Sequence, residues 1–226
     1  KGAVSENGNE KASGEDYAFD FGVRVIAGGP VTAPGYYGKV LGTTDTDRIA
    51  EVVMDGIRQA HERARASARM KSGVRRRLGV LGQSITSAEL APVPIARDTV
   101  TATYRADPRS VRLEDALKMS VEGCKAAQGA SDQIVYAAAS ASTFLLRELF
   151  VSSDGSDIDQ SFAQTEGFVI AICTSEHGNM EIYDFTGHQR GWEILTEGYA
   201  NGPIVLPDFA SFCTKLGTDA VEVANS

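Results

Sequence analysis

The run FVSSDGSDIDQSFAQTEGFVIAI, residues 150–172, decides how this chain folds. On either side of Ser153-Asp154-Gly155 stand apolar or alternating residues, and a Ser-Asp-Gly step is turn chemistry rather than helix chemistry. The neighbouring runs repeat the pattern: QIVYAAAS (133–140), FLLRELFVSS (144–153), SDIDQSFAQT (156–165), GFVIAICTS (167–175) and MEIYDFTG (180–187), with His177-Gly178-Asn179 as a further turn. Short strands joined by tight turns predict an antiparallel meander over 131–186. Arg147 and Glu148 interrupt the alternation of Leu145, Leu149 and Val151, which fits a bulge or a partly exposed strand.

Helical periods flank the meander. Leu113, Ala116, Leu117, Val121, Cys124 and Ala127 form a buried stripe before it, and Asp208 caps a helix after it whose inner face is Phe209, Phe212, Cys213 and Leu216, with Gly217 as the expected stop. Earlier, Thr44 and Asp47 stand at capping-box spacing ahead of Ile49, Val52, Val53, Ile57, Ala60 and Ala64, predicting a helix over 45–70. Before that, Tyr17, Phe19, Phe21, Val23 and Val25 alternate as a strand, followed by a loop in AGGPVTAPGYYG (27–38). The segment APVPIARDTVTATYRADPRS (91–110) reads as an extended linker punctuated by Pro92, Pro94 and Pro108. Residues 1–16, small and polar without period, read as a flexible lead-in, leaving 17–226 as one domain. The class expected is α+β, helices packed on a largely antiparallel sheet.

The 226 residues suffice for a sizeable core, and 42% hydrophobic with 23% charged residues is ordinary globular composition. A net charge of −8 repels phosphate backbones and anionic lipid, so neither nucleic acid nor a membrane surface is expected as a partner. Cys124, Cys173 and Cys213 are odd in number and widely spaced, which argues against a disulfide framework and for a reducing, cytoplasmic setting. No apolar run approaches the ~20 residues of a spanning helix. Lys1 in place of Met reads as the start of a chain that is cut, processed or partial, with further residues expected upstream.

The sequence holds fragments of several catalytic motifs and completes none. HERAR (61–65) opens like a zinc-protease helix, but Arg65 stands where the second histidine belongs, so His61 reads as part of a solvated helix face. Arg75, Arg76 and Arg77 read as a solvated turn or salt-bridge patch, with anion binding as the alternative. Cys124 belongs to a helix stripe and Cys173 to the apolar run FVIAICT, where thiols are packing rather than nucleophiles. His177 and His188, with Glu176, Glu181 and Asp184, would bind metal only if the hairpin gathered them, and a pair at opposite hairpin ends is expected instead. LGQSITS (81–87) carries half of a serine elbow, and the glycines of AGG and GYYG lack dinucleotide spacing. The residues therefore nominate no catalytic, metal-binding or cofactor-binding residue. A self-contained hydrolase using Cys173, His177 or His188 stays as a competing idea, as does a free-standing peptide or protein interaction module without catalysis.

Taken in order, FDFGVRVIAGG (19–29) with its helix, LAPVPIARDTV (90–100), DPRSVRLEDALKM (107–119), the run 150–172 and HQRGWEIL (188–195) resemble the N-terminal half of the TldD/PmbA family of modulator-of-DNA-gyrase and zinc-metallopeptidase-like proteins. The resemblance covers about residues 20–200 and lies in the order of the pieces. It implies an N-terminal domain of a two-domain, cytoplasmic protein that works as a homodimer or as a heterodimer with a paralogue on unstructured peptides. It also implies a zinc motif, His-Glu-x-x-x-His, in a C-terminal half absent from this chain. Ala66 stands where that motif's second histidine would follow His61 and Glu62, so no metal ligand carries over. The role implied is scaffold, dimer surface and peptide channel; separately, the many short strands of 131–186 suggest either a peptide strand adding to a sheet edge or edges covered by the partner domain.

Overall fold

The computed structural model describes residues 1–28, 31–86, 91, 93–176 and 178–226, with residue 85 described by its backbone alone. In chain order it holds β1 (Gly2–Glu6), β2 (Asn9–Gly14), β3 (Asp20–Ala27), β4 (Ala33–Val40), α1 (Thr43–Thr46), α2 (Ile49–Thr86), β5 (Arg97–Val100), α3 (Leu113–Gln128), β6 (Ile134–Val151), β7 (Asp157–Ser175), β8 (Gly178–His188), α4 (Glu193–Glu197), β9 (Tyr199–Asn201), β10 (Ile204–Leu206) and α5 (Phe209–Ala224). The fold is α+β. In place of one domain over 17–226 there are two compact units, Lys1–Asp16 with Ile95–Ser226, and Tyr17–Pro94.

The larger unit is built on β6 and β7, 18 and 19 residues long, so runs that read as separate short strands are continuous. They form an antiparallel pair joined at Ser152–Ser156, where Gly155 takes φ 104, open to glycine and costly for other residues. β8 continues the pairing antiparallel on β7 from Thr165 to Ser175, completing the expected meander. Lower on the same edge β5 runs parallel to β7 over Asp157–Gln160. The stretch expected to be a linker thus contributes a strand; its Pro92 lies outside the described residues. Of the two readings of Arg147–Glu148, the partly exposed strand holds: Leu146–Val151 are exposed, and the ladder's irregularity falls between Ile134 and Tyr136. Arg147 meets Asp159 on β7 through two bonds of 2.9 and 2.6 Å.

Residues 1–16 are no flexible lead-in. β1 and β2 form a hairpin, and β1 pairs antiparallel with β6 from Gly2↔Ser142 to Glu6↔Ala138. Asn7 (φ 48) and Gly8 (φ 74) make the two-residue turn that asparagine and glycine favour. Small side chains pass for disorder in the sequence, yet here they fit the core: Ser5 is fully buried and donates to the carbonyl of Ser120 at 2.7 Å.

Alternate residues of these strands meet α3 and α5. Ala137, Ala139, Ala141, Val169, Ala171 and Cys173 form one core with Phe209, Cys213, Leu216 and Cys124. Glycine sets the helix approach, since a Cβ on Gly167 would stand 2.4 Å from the Phe209 ring and one on Gly123 2.6 Å from it. Asp208 caps α5 as expected, accepting from the Ser211 N–H at 3.0 Å. The helix nevertheless runs past Gly217 to Ala224. Gly217 is a contact point rather than a stop: a Cβ there would lie 2.4 Å from the carbonyl oxygen of Ala127 on α3.

In the smaller unit β3 and β4 form an antiparallel hairpin, so the loop expected after the first strand contains a second strand. α2 packs on it through Gly56, Ala60 and Ala64, four residues apart; Ile49 and Ile57 are exposed. A Cβ on Gly35 would approach the Ala60 carbonyl oxygen to 2.1 Å, which explains why small residues line the contact. α2 begins at Ile49 and extends beyond residue 70 to Thr86, with a break at Gly79 (φ 55, ψ −128), a conformation reserved for glycine. The capping interaction sits two residues before Thr44 and Asp47 and belongs to α1, with Asp45 accepting from the Gly42 N–H at 3.0 Å.

Candidate functional site

The residues that carried chemical promise are scattered. His61, Glu62 and Arg65 are exposed on α2, with Ala60 and Ala64 turned inward, as expected of a solvated helix face. Arg76 and Arg77 are exposed on the same helix and Arg75 is half-buried. All three cysteines are buried. Cys124 Sγ accepts from the Gly8 N–H and donates to the Ala137 carbonyl, both at 3.1 Å, and burial pushes the Cys213 thiol well above its ordinary pKa. All three serve packing in the interior.

His177 lies outside the described residues. His188 ends β8 opposite Thr165, whereas Cys173 pairs with Met180 at the other end of the ladder. Eight ladder positions separate them, about 26 Å, far beyond hydrogen-bond reach. Glu181 and Asp184 point to opposite faces of β8. Among the described residues no group of three or more His, Cys, Asp or Glu could hold a metal ion. His188 instead packs against Tyr199 at 4.5 Å, and the Arg190 guanidinium lies 5.7 Å from the same ring.

The geometry of the larger unit offers a polar cleft that no motif announced. β5 pairing on β7 stops at Gln160 and β8 pairing starts at Thr165, leaving residues 161–164 between them on that edge. Here the chain leaves β5, held by a bond from the Ala102 N–H to Ser161 Oγ at 2.9 Å. The cleft beside it, of about 280 Å³, is lined by Thr101, Tyr104, Arg109, Arg147, Asp159 and Ser161 among others. Arg147 holds the Asp159 carboxyl below its ordinary pKa, chiefly by hydrogen bonding, and Arg109 does the same to Asp107. Carboxylates held ionised accept hydrogen bonds and do not release protons near neutral pH. Val100, Ala102 and Leu145 add apolar surface to the same cleft.

Glu193 ties down the backbone that follows Tyr104, one of the residues lining the cleft. It is 4% exposed, yet its carboxylate accepts from the N–H groups of Arg105 (3.0 Å), Ala106 (2.9 Å) and Gly191 (3.3 Å). Burial pushes its pKa up, but the backbone donors outweigh burial and leave it lowered. Gly191 is required for the clasp, because a Cβ would fall 2.0 Å from the Ala106 carbonyl oxygen. Within HQRGWEIL the sequence signal was the Gly-Trp-Glu step, which by itself reads only as a turn.

No protein-family model matches the chain, and no curated protein sequence matches it significantly. Its fold does have matches among solved structures. A proposed modulator of a DNA gyrase from Thermotoga maritima aligns with 100% of this chain at a TM-score of 0.62 and 11% identity, and 41% of that chain is covered. TldE from Thermococcus kodakarensis aligns with 99% of it at 0.57 and 13% identity, again with 41% of the solved chain covered. The chain thus has the fold expected from the resemblance to TldD/PmbA proteins, and spans about two-fifths of the length of these neighbours.

Proposed function

We propose that this chain is the scaffold and peptide-holding domain of a larger, two-domain metallopeptidase of the TldD/PmbA kind, or of such an enzyme's catalytically silent partner. One observation carries the reading: the likeness of fold extends over the whole chain, yet takes up 41% of each neighbour. The domain's partners would be its own C-terminal half, a second copy or a paralogue, and an unstructured peptide in the cytoplasm.

Zinc, which the resemblance implies, does not fit the residues described here. Their thiols are buried among apolar side chains, and His188 is packed on Tyr199. The metal would belong to the other half. A hydrolytic centre gathers its ligands and base at one point, whereas a peptide needs an enclosing wall and polar groups to hold its backbone. The cleft beside β5 would supply such a wall.

The test is the intact mass, zinc content and peptidase activity of the product of the complete gene. A product roughly twice the mass of this chain, carrying about one zinc per protomer and cleaving an unstructured peptide, is the expected result. A zinc-free product ending at Ser226 that binds peptides without cleaving them would replace this reading with that of a free-standing interaction module.

A further inference from the structure

The face of the larger unit's sheet turned away from α3 and α5 carries side chains unlike those of a solvated surface. Tyr136 on β6, Phe168, Ile170 and Ile172 on β7, and Tyr183 and Phe185 on β8 share it, because their ladder partners alternate with the buried residues. Tyr183 and Phe185 are 61% and 64% exposed. Phe168 stands 4.8 Å from Phe185 and 6.2 Å from Tyr183, ring centre to ring centre, so the three form one cluster. None of these six residues belongs to the core cluster or to the side chains packed against it.

The charges on this part of the face have one sign. Glu166 lies beside Phe168 on β7, and Glu181 beside Tyr183 on β8, at the opposite end of the cluster. Glu166 accepts bonds from Ser142 and Gln164, both neutral. Among the described residues neither Glu166 nor Glu181 has an ion-pair partner. Lys11, the cation nearest the hairpin side, is taken by Glu6 at 3.0 Å.

We infer that this open face binds cationic, apolar peptide segments, with the aromatic cluster taking apolar or guanidinium groups and Glu166 and Glu181 taking lysine or arginine. The inference rests on the peptide-holding role proposed above, adds to the cleft a second contact on the opposite face of the sheet, and names the class of peptide. Aromatic faces attract cations as well as apolar groups, and carboxylates at the rim reinforce that choice. Aromatic sheet faces also stack bases in RNA-binding domains, but those act with basic surroundings, whereas carboxylates at both ends would repel phosphates. Glu166 and the partner position of Glu181, Ile172, lie six residues apart on β7. That separation is about 20 Å along an extended strand, so the preferred segment carries two cations roughly six residues apart with apolar residues between.

The test uses two labelled, unstructured peptides of equal length and apolar content, one with lysines six residues apart and one with glutamates in their place. Fluorescence anisotropy with the 226-residue chain should give at least tenfold tighter binding of the lysine peptide. Tyr183→Thr with Phe185→Thr should lower its affinity tenfold or more while circular dichroism stays unchanged, and Glu166→Lys with Glu181→Lys should reverse the preference. If both peptides bind and none of these substitutions matters, this surface is wrong while the peptide-holding role survives. Failure of every peptide to bind would overturn both. A concentration-dependent dimer that Phe185→Thr dissolves would assign the face to a second copy and overturn the inference.

Discussion

Two faces of one sheet are made from the same strands and differ by a one-residue step. On the face under α3 and α5 the side chains are small, with Ala137, Ala139, Ala141, Gly167 and Ala171 bringing helices close enough for Phe209 to be fully buried. On the other face the same strands carry Tyr136, Phe168, Ile170 and Ile172, and β8 adds Tyr183 and Phe185. The larger apolar groups are therefore on the side without a helix layer. In a two-layer unit whose outer face served solubility alone, the alternation would place polar residues there. Core packing is satisfied on one face, and the other is left equipped for something outside the unit.

The sharpest way to break this contrast is to remove its central contact. Phe209→Ala should cost about 3–5 kcal/mol of stability, because the ring fills the space that two glycines leave. Urea unfolding followed by circular dichroism measures it; a loss below about 1 kcal/mol would mean that this face is not the tightly packed one. Gly167→Val reverses the sign of the volume change at the same contact. Its first carbon would meet Phe209 at 2.4 Å, so a loss of about 1–3 kcal/mol is expected from overpacking. Equal tolerance of valine here and at Ser140 on the open face would erase the distinction.

Glu193→Gln probes polar rather than apolar packing, with a loss of about 1–3 kcal/mol expected as backbone donors lose a carboxylate acceptor. The effect should depend on pH. Because the folded pKa of Glu193 is lowered from its ordinary 4.5, its contribution is full above that value and fades as the pH falls through the lower folded pKa. Wild type and Glu193→Gln should therefore converge in stability on acidification below about pH 4.5. A gap that stays constant down to pH 2 would show that ionisation plays no part in the clasp.

Much of this architecture was legible in advance, for physical reasons that differ from element to element. α3 and the start of α5 announce themselves because a helix face repeats every three to four residues. The meander was visible from its turns, but its strand lengths were not: Arg147 breaks alternation in the sequence, and β6 continues through it because that stretch is exposed, with Asp159, twelve residues on, as the partner of Arg147. The first hairpin was missed even though Asn7-Gly8 is a strong turn signal, since Ala3 and Ser5 look polar or small until a neighbouring strand buries them. Gly217 misled because a glycine that ends a helix and one that admits a neighbouring helix read alike. The placing of Cys124 and Cys173 in the core was readable from their apolar neighbours, whereas the cleft depends on a contact across 59 positions and Glu193 on contacts across 88 and 87.

The smallest effect expected concerns the open face itself. Phe185→Thr keeps a residue suited to strands and removes a ring that is mostly in water, so its stability cost should come mainly from the pair with Phe168. Aromatic pairs contribute roughly 0.5–1.5 kcal/mol, and the exposed position places this one at the low end, below about 1 kcal/mol. Tyr183→Thr, at a longer ring distance, should cost less still. A chemical denaturation midpoint for each variant suffices as the measurement. Were Phe185→Thr to cost 3 kcal/mol or more, the two faces would be energetically alike and the aromatic cluster a second core. A small cost, joined to the loss of cationic peptide binding, would separate the two faces by purpose: one holds the fold together, and the other is kept at the surface for its partner.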